Sequence, residues 1–280
     1  MMNVVQSIST STWVSGFRTI TCSHQECTRW LTHRHLSSRS VGIRMNGGWY
    51  CSYGCFASAA MTRIAQLRGS GPSSSSRTSR MPLALILIGR GLLTREQWKQ
   101  AADQQADAAK DLGETLVTLG FVSEKNVTAA RATQWDTPVF AISRGSLAVS
   151  VHIPPTLMLL HSMAPLHHVA ATNSLLMGFV RGIEYGPLYA IEQVTGCKTQ
   201  PCFVTPGDFQ LQMRLQEQGS TLYEELTFET VQSSTEMVRA LCDYGALLDA
   251  NEVVFARSGE YVWARLKGTS RATDILFKVG

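Results

Sequence analysis

Residues 82–105, PLALILIGRGLLTREQWKQAADQQ, and residues 111–134, DLGETLVTLGFVSEKNVTAARATQ, are two copies of one unit separated by five residues. An internal repeat of this kind indicates the architecture before any other feature does. The sequence therefore predicts a subdomain in which one motif is used twice. At this offset several positions agree: Leu83 with Leu112, Leu87 with Leu116, Gly91 with Gly120, and Gln105 with Gln134.

Each copy of the unit predicts a helical hairpin. Apolar residues recur at helical spacing in the first half of a copy, and Gly91 supplies the positive φ that ends the helix. Thr94 then caps a second helix, with Gln97 three residues later completing a capping box. In the second copy, Asp111 and Ser123 occupy the two capping positions. The expected result is two helix hairpins around a leucine core.

The repeated unit resembles the N-terminal domain of the type II secretion and type IV pilus assembly ATPases, the GspE/MshE (MshEN) type. In that family the unit reads R-L-G-x-x-L, then G-L-L-T, Q-L, A-L and a final Q, and it occurs twice with a five-residue gap, as here. The resemblance is specific over residues 82–140 and extends less specifically to residue 217. It implies a helical subdomain packed with an α/β subdomain, and a protein partner from a secretion or pilus apparatus.

In some members of that family the paired units bind cyclic-di-GMP. This chain departs from the motif, because Pro82 and Asp111 replace the leading Arg, and Ala84 replaces the Gly that the second copy keeps as Gly113. Phosphates need cationic donors and close backbone approach, and an acid repels them. The resemblance thus implies an inherited fold with degenerate cyclic-di-GMP motifs. The alternative is a functional receptor in which Lys110 replaces the missing cation.

Four of the seven cysteines form two close pairs, Cys22 with Cys27 and Cys51 with Cys55. Two such pairs can place four thiolates around a zinc ion. The second pair lies in WYCSYGC, which resembles the second knuckle of treble-clef zinc fingers, and so small a segment buries too little core to fold unaided. We therefore predict structural Zn²⁺ at these cysteines, against unpaired buried thiols or a disulfide. Nearby histidines are spare ligand candidates interpreted as surface residues: His24, His33 and His35.

The predicted fold class is α+β. The domains, in order, are a basic zinc-knuckle segment (residues 1–68), a flexible Gly/Ser linker (69–81), the repeated helical-hairpin subdomain (82–140), an α/β subdomain (141–217) and a C-terminal αβββ unit (218–280). The linker predicts that the knuckle folds independently of everything after residue 82. Within the last two domains we expect a strand near 167–172, a turn at Asn173, a helix ended by Gly196, and a hairpin turning at Ser258-Gly259.

Charge is distributed unevenly along the chain. Residues 1–80 carry nine Arg, no Lys and one acid, which gives +8, whereas the remaining sixteen cations and twenty acids give −4. A basic arm of this kind is suited to contact nucleic acid or acidic lipid. A solvated, partly disordered tail is the other interpretation.

Missing motifs narrow the functional class. The sequence has no G-x4-G-K-[ST] loop, nucleophile elbow, HExxH, Rossmann glycine pattern or paired-carboxylate frame. No acid or nucleophile motif frames His161, His167 or His168 beside Cys197 or Cys202, so we interpret none of them as catalytic. No signal peptide or membrane-spanning run is recognised, and a cytoplasmic protein is expected.

These observations predict a non-enzyme that acts as a regulatory or interaction module. Its expected cofactor is structural zinc, and its expected partner is another protein. The rival hypothesis is a zinc-dependent nucleic-acid-binding regulator that uses the basic arm. A steep fall in affinity for random DNA with added salt would favour that rival, because phosphate contacts release counterions.

Overall fold

In a computed structural model, the chain forms two compact units. Unit 1 comprises Met1–Ser73 and Thr221–Gly280, and unit 2 comprises Ser74–Ser220. The structure is mixed α+β, which confirms the predicted fold class. None of the helices in the described ranges is both long and apolar enough to cross a membrane. The described residues are 12–14, 17–32, 42–69, 80–105, 111–142, 149–219, 223–230, 233–269 and 271–279.

Helices and strands follow one another in an irregular order along the chain. The helices are α1 (Tyr53–Gly69), α2 (Leu83–Gly89), α3 (Arg95–Gln105), α4 (Leu112–Thr118), α5 (Glu124–Trp135), α6 (Pro155–Leu160), α7 (Tyr185–Thr195), α8 (Pro206–Gly219) and α9 (Ser234–Leu247). The strands are β1 (Thr12–Val14), β2 (Phe17–Thr21), β3 (Trp30–Thr32), β4 (Ile43–Met45), β5 (Gly48–Tyr50), β6 (Met163–Val169), β7 (Ser174–Phe179), β8 (Lys198–Phe203), β9 (Tyr223–Phe228), β10 (Glu252–Ser258), β11 (Tyr261–Lys267) and β12 (Ala272–Lys278).

Unit 1 is built on a six-stranded sheet with the order β5-β4-β10-β11-β12-β9. The strands β10, β11 and β12 are antiparallel neighbours, and Gly259 has the positive φ (57°) expected at the predicted hairpin turn. The predicted αβββ unit is nevertheless incomplete. Strand β9, which was not predicted, pairs in parallel with β12, and β4 pairs in parallel with β10. A smaller sheet, β1-β2-β3, also belongs to this unit.

The knuckle segment and the C-terminal segment, predicted as separate domains, share this sheet. The Phe255 N–H donates to the side-chain oxygen of Asn46 at 3.0 Å, across 209 residues of sequence. The Arg257 guanidinium donates to the carbonyls of Leu67 and Arg68, at 2.7 and 2.9 Å, and so satisfies the last turn of α1. The structure therefore places in one compact unit two segments that the sequence predicted as separate domains. The predicted linker lies mostly outside the described residues.

Helices α1 and α9 pack against each other in the core of unit 1. The predicted apolar side of α9 is buried, with Met237 and Leu241 fully enclosed. From α1, Phe56 and Ile64 join the same cluster, together with the inward side chains of β10, β11 and β12. The helix that begins at the second cysteine pair is thus part of the main core of the unit.

Unit 2 begins with the two predicted helix hairpins, α2–α3 and α4–α5. Gly91 and Gly120 have φ values of 69° and 71°, as expected for residues that end a helix. The Gln97 N–H donates to Thr94 Oγ at 3.2 Å, and the Thr94 N–H donates to Gln97 Oε1 at 3.0 Å, which is the predicted capping box. The shared core is aliphatic and contains Ile86, Leu87, Leu93, Leu116, Val122 and Val127.

The remainder of unit 2 is a three-stranded sheet with the order β6-β7-β8, in which β6–β7 is antiparallel and β7–β8 parallel. Asn173 forms the predicted turn with φ 48°, and Gly196 ends α7 with φ 75°. Strand β6 starts at Met163, earlier than predicted. Its first residues are buried apolar side chains that gave no alternating pattern, since both faces of the strand are covered there.

Candidate metal centre

The four cysteines predicted to bind metal come together in unit 1. Cys22 follows β2, Cys27 precedes β3, Cys51 follows β5, and Cys55 lies in the first turn of α1. All four sulfur atoms lie within 4.8 Å of one another. The Cys51 sulfur is 3.6 Å from that of Cys27 and 3.7 Å from that of Cys55. A tetrahedral zinc site with bonds of about 2.3 Å separates its sulfurs by about 3.8 Å, so one ion fits this spacing.

Short backbone contacts hold the first cysteine pair in place. The Cys22 N–H donates to the Arg29 carbonyl at 3.0 Å, which closes the loop that carries Cys27. The Ser23 N–H donates to the Trp49 carbonyl at 2.7 Å, and the Trp49 N–H returns a bond to Ser23 Oγ at 3.1 Å. This reciprocal pair fastens the first loop to β5. It thereby brings the first cysteine pair to the second.

Backbone hydrogen bonds and burial shift the pKa values of the cysteine thiols in opposite directions. The Cys51 N–H points to the Cys22 sulfur at 3.5 Å, and a bond from the Arg29 backbone lowers the pKa of Cys27. Burial, followed by the neighbouring Cys27 and Cys55 sulfurs, raises the pKa of Cys51 to about 12. Several thiolates this close together repel one another, and a bound dication stabilises them by balancing their negative charge. The donor set therefore suits a cation at its centre.

The other predicted ligand candidates do not join the cluster. His24 Nε2 lies 3.0 Å from Ser58 Oγ, so the imidazole is engaged away from the sulfurs. His33 and His35 lie outside the described residues. All seven cysteines are free thiols, which leaves the disulfide alternative without support. Within the described ranges, no second group of three or more His, Cys, Asp or Glu side chains is close enough to hold a metal.

The departure of the repeat from the motif that it resembles has a structural counterpart in unit 2. Asp111 caps α4, accepting from the N–H groups of Gly113 at 3.0 Å and Glu114 at 3.4 Å. The same carboxylate oxygen pairs with the guanidinium of Arg131, which is only 4% exposed. Another nitrogen of that guanidinium donates to the Val180 carbonyl. The negative charge of Asp111, the acid at the Arg position of the motif, is therefore balanced by Arg131 of the same chain.

This internal ion pair also explains why the second copy keeps its glycine. A Cβ built on Gly113 would lie 2.5 Å from Arg131 Nη2 and 2.8 Å from Val127 Cγ1. Burial lowers the pKa of Arg131, and the charge of Asp111 opposes that change. The absence of a side chain at Gly113 thus leaves space for the guanidinium of Arg131. Lys110, the alternative cation, lies outside the described residues.

Comparison with known proteins gives matches in structure alone. No family model matches the chain, and no curated protein matches it. The structure of MshE with cdg is 21% identical, covers 48% of this chain and 98% of its own, and gives a TM-score of 0.41. The N-terminal domain of XpsE is 14% identical, covers 48% of this chain and 92% of its own, and gives a TM-score of 0.38. The chain is thus similar to structures of the type that the repeated unit resembles, at TM-scores below 0.5.

Proposed function

We propose that unit 1 is built around one structural zinc ion, bound by Cys22, Cys27, Cys51 and Cys55. The observation that supports this is the convergence of four sulfur atoms within 4.8 Å. Four protein ligands close a tetrahedron and leave no position for water or substrate, which is the mark of a structural site. Thiolates select zinc and softer ions over magnesium and calcium. The zinc then joins the loop between β2 and β3 to the end of β5 and the first turn of α1.

Metal analysis of the freshly reduced full chain tests this proposal. We expect about one equivalent of zinc per chain, and none in the Cys51→Ser, Cys55→Ser variant, because two oxygen-for-sulfur exchanges remove half of the ligands. Cys242→Ser is the matched control, since that thiol lies in the same unit and should leave the zinc content unchanged. A chain without metal, or a double variant that keeps it, would disprove the site.

We further propose that the whole chain is a non-catalytic, cytoplasmic regulatory module that docks a protein partner from a secretion or pilus apparatus. The support comes from the sequence. It repeats the unit of the secretion-ATPase N-terminal domains at residues 82–134, yet contains no loop able to cradle nucleotide phosphates. The exposed aliphatic and aromatic side chains of unit 2, among them Leu159 and Tyr189, offer apolar surface for such a partner.

The purified chain should not hydrolyse ATP. Phosphoryl transfer depends on a loop and cation that position the phosphates, and no such loop is found in the sequence. Steady-state phosphate release should therefore equal that of a mock preparation made without the protein. Release that rises in proportion to the chain across purification fractions would show that a different nucleotide site exists.

We also infer that the paired helical units have kept the hairpin fold and lost affinity for cyclic-di-GMP. MshE is the similar protein whose structure was solved with cdg. In this chain the second copy replaces the leading cation with Asp111, which is already paired with Arg131. The first copy offers Pro82 and the buried Ala84 at the matching positions. Neither copy presents a free cation at its leading position.

Nucleic acid is the alternative partner, and one feature of the knuckle favours it. Trp30, the first residue of β3, is 58% exposed and directly follows the exposed Arg29 at the end of the loop that carries Cys27. An exposed ring beside a cation is the arrangement on which unpaired bases stack. The excess of arginine over acid in residues 1–80 would supply the accompanying phosphate contacts.

A further inference from the structure

Three polar side chains meet in unit 2, where the β6–β7 turn approaches the start of β8. His168 lies on β6, Asn173 in the turn, and Cys197 just before β8. The Cys197 sulfur is 3.8 Å from His168 Nε2 and 3.3 Å from Asn173 Oδ1, and those two atoms are 3.2 Å apart. Cys197 is 4% exposed, whereas its neighbours Asn173 and His168 are exposed and half-buried, respectively.

Hydrogen bonding fixes the direction in which these groups point. The Asn173 amide nitrogen donates to the Gly196 carbonyl at 2.8 Å, so its oxygen must face His168 and Cys197. That oxygen accepts only, and His168 Nε2 therefore carries the proton. On the other side of the ring, Ser150 Oγ lies 3.4 Å from Nδ1. The result is an N–H group directed at both the amide oxygen and the thiol.

The backbone around the cluster is equally well held. Asn173 has φ 48°, a left-handed conformation that Asn adopts more readily than most residues. Its carbonyl accepts from the Lys198 N–H at 2.9 Å, which joins the turn to the start of β8. The Cys197 N–H donates to Thr195 Oγ at 3.2 Å. A nucleophile, a hydrogen-bond donor and an orienting group are thus held in fixed positions.

We propose that Cys197 is a peroxide-reactive thiol and that His168 is the hydrogen-bond donor to the departing oxygen in its reaction. The Cys197 thiol, whose S–H donates to Asn173 Oδ1, attacks one oxygen of a hydroperoxide, forming an S–O bond while the O–O bond breaks. The departing oxygen accepts a hydrogen bond from His168 Nε2–H, takes the proton that the thiol loses, and leaves as water or an alcohol. Sulfur is oxidised by two electrons to a sulfenic acid, the peroxide is reduced by two, and His168 keeps its proton. This gives the module an oxidant-sensitive site far in sequence from the four-cysteine cluster.

Two other cysteines provide references inside the same chain. Cys202 is fully buried on β8, contacts the Met177 carbonyl, and has its pKa raised to about 12 by burial. Cys242 is half-buried on α9, where burial, and then the charge of Asp243, raises its pKa. Neither has an imidazole among its described contacts. Both should therefore react slowly with peroxide.

The test is site-resolved trapping of sulfenic acid. The reduced full chain is treated with hydrogen peroxide in the presence of dimedone, and peptide mass spectrometry gives the labelling rate of each cysteine. We expect Cys197 to label at least about tenfold faster than Cys202 or Cys242, and His168→Gln to remove most of this advantage. A preorganised hydrogen-bond donor to developing charge contributes roughly a hundredfold or more, part of which the glutamine amide would retain.

Two variants separate chemistry from structure. Asn173→Gly keeps the left-handed backbone but removes the amide that orients the ring, so it should also slow the labelling of Cys197. His167→Gln alters the exposed neighbouring histidine and should leave the rate unchanged. Cys197 labelling no faster than that of Cys202, or unaffected by His168→Gln in a chain with unaltered circular dichroism, would overturn the proposal.

Discussion

The Cys51→Ser, Cys55→Ser variant will lose the folded structure of all of unit 1, including β10, β11 and β12, while unit 2 stays folded. A structural zinc site contributes on the order of 10 kcal/mol, which is comparable with the whole stability of a domain at about 5–15 kcal/mol. The knuckle cannot unfold alone, because β4 pairs with β10 and α1 packs against α9 in the main core. Unit 2 has its own aliphatic clusters and needs none of these contacts.

Hydrogen exchange followed by mass spectrometry measures this outcome. Amides of β10–β12 should lose protection together with those of α1, whereas amides of β6–β8 should keep theirs. Cys242→Ser should retain protection throughout, which controls for the loss of any one thiol. If α1 became unprotected while β10–β12 remained protected, the knuckle would be an independent domain after all.

Calorimetry with cyclic-di-GMP at low salt should detect no submicromolar binding. Each lost charge-assisted hydrogen bond is worth about 1.5–3 kcal/mol, so losing the leading cation in both copies weakens binding by roughly a hundredfold or more. Asp111 adds repulsion, and Arg131 cannot compensate because it is buried against that carboxylate and the Val180 carbonyl. Submicromolar binding would show that another cation holds the phosphates.

The converse experiment is best made in the first copy. Pro82→Arg with Ala84→Gly restores the motif there and leaves the Asp111–Arg131 pair intact, so measurable affinity should appear. Asp111→Arg is the less informative change, because an unpaired buried Arg131 would cost about 3–5 kcal/mol of stability. A folded double variant that gains no affinity would disprove the inherited ligand frame while leaving the hairpin fold in place.

Features that depend on residues close together in the sequence could be predicted. The Thr94–Gln97 capping box, the helix ends at Gly91 and Gly120, and the cysteine pairs all depend on local spacing. Hydrogen bonds between residues three or four apart need no knowledge of the rest of the fold. For that reason these elements follow from the sequence alone.

Features created by distant pairing could not be predicted in the same way. Asp111 meets Arg131 across 20 residues, and Cys197 meets His168 across 29, and neither pair has a spacing that distinguishes it from chance. Arg131 did carry a weak signal, since it lies four residues after the buried Val127 on the same side of α5. A cation on the core side of a helix predicts a buried acid, but it does not identify which one.

The parallel pairing of β4 with β10 has a consequence for the order of events during synthesis. The complete sequence of unit 2 is synthesised before the first residue of β10, and a contiguous unit can fold before the later chain is complete. The knuckle must wait, with one edge of β4 unpaired, until its partner strand arrives. Early capture of the metal would order β5 and α1 around one centre during this interval. The free edge of β4, which could pair with another nascent chain, is covered only when β10 arrives.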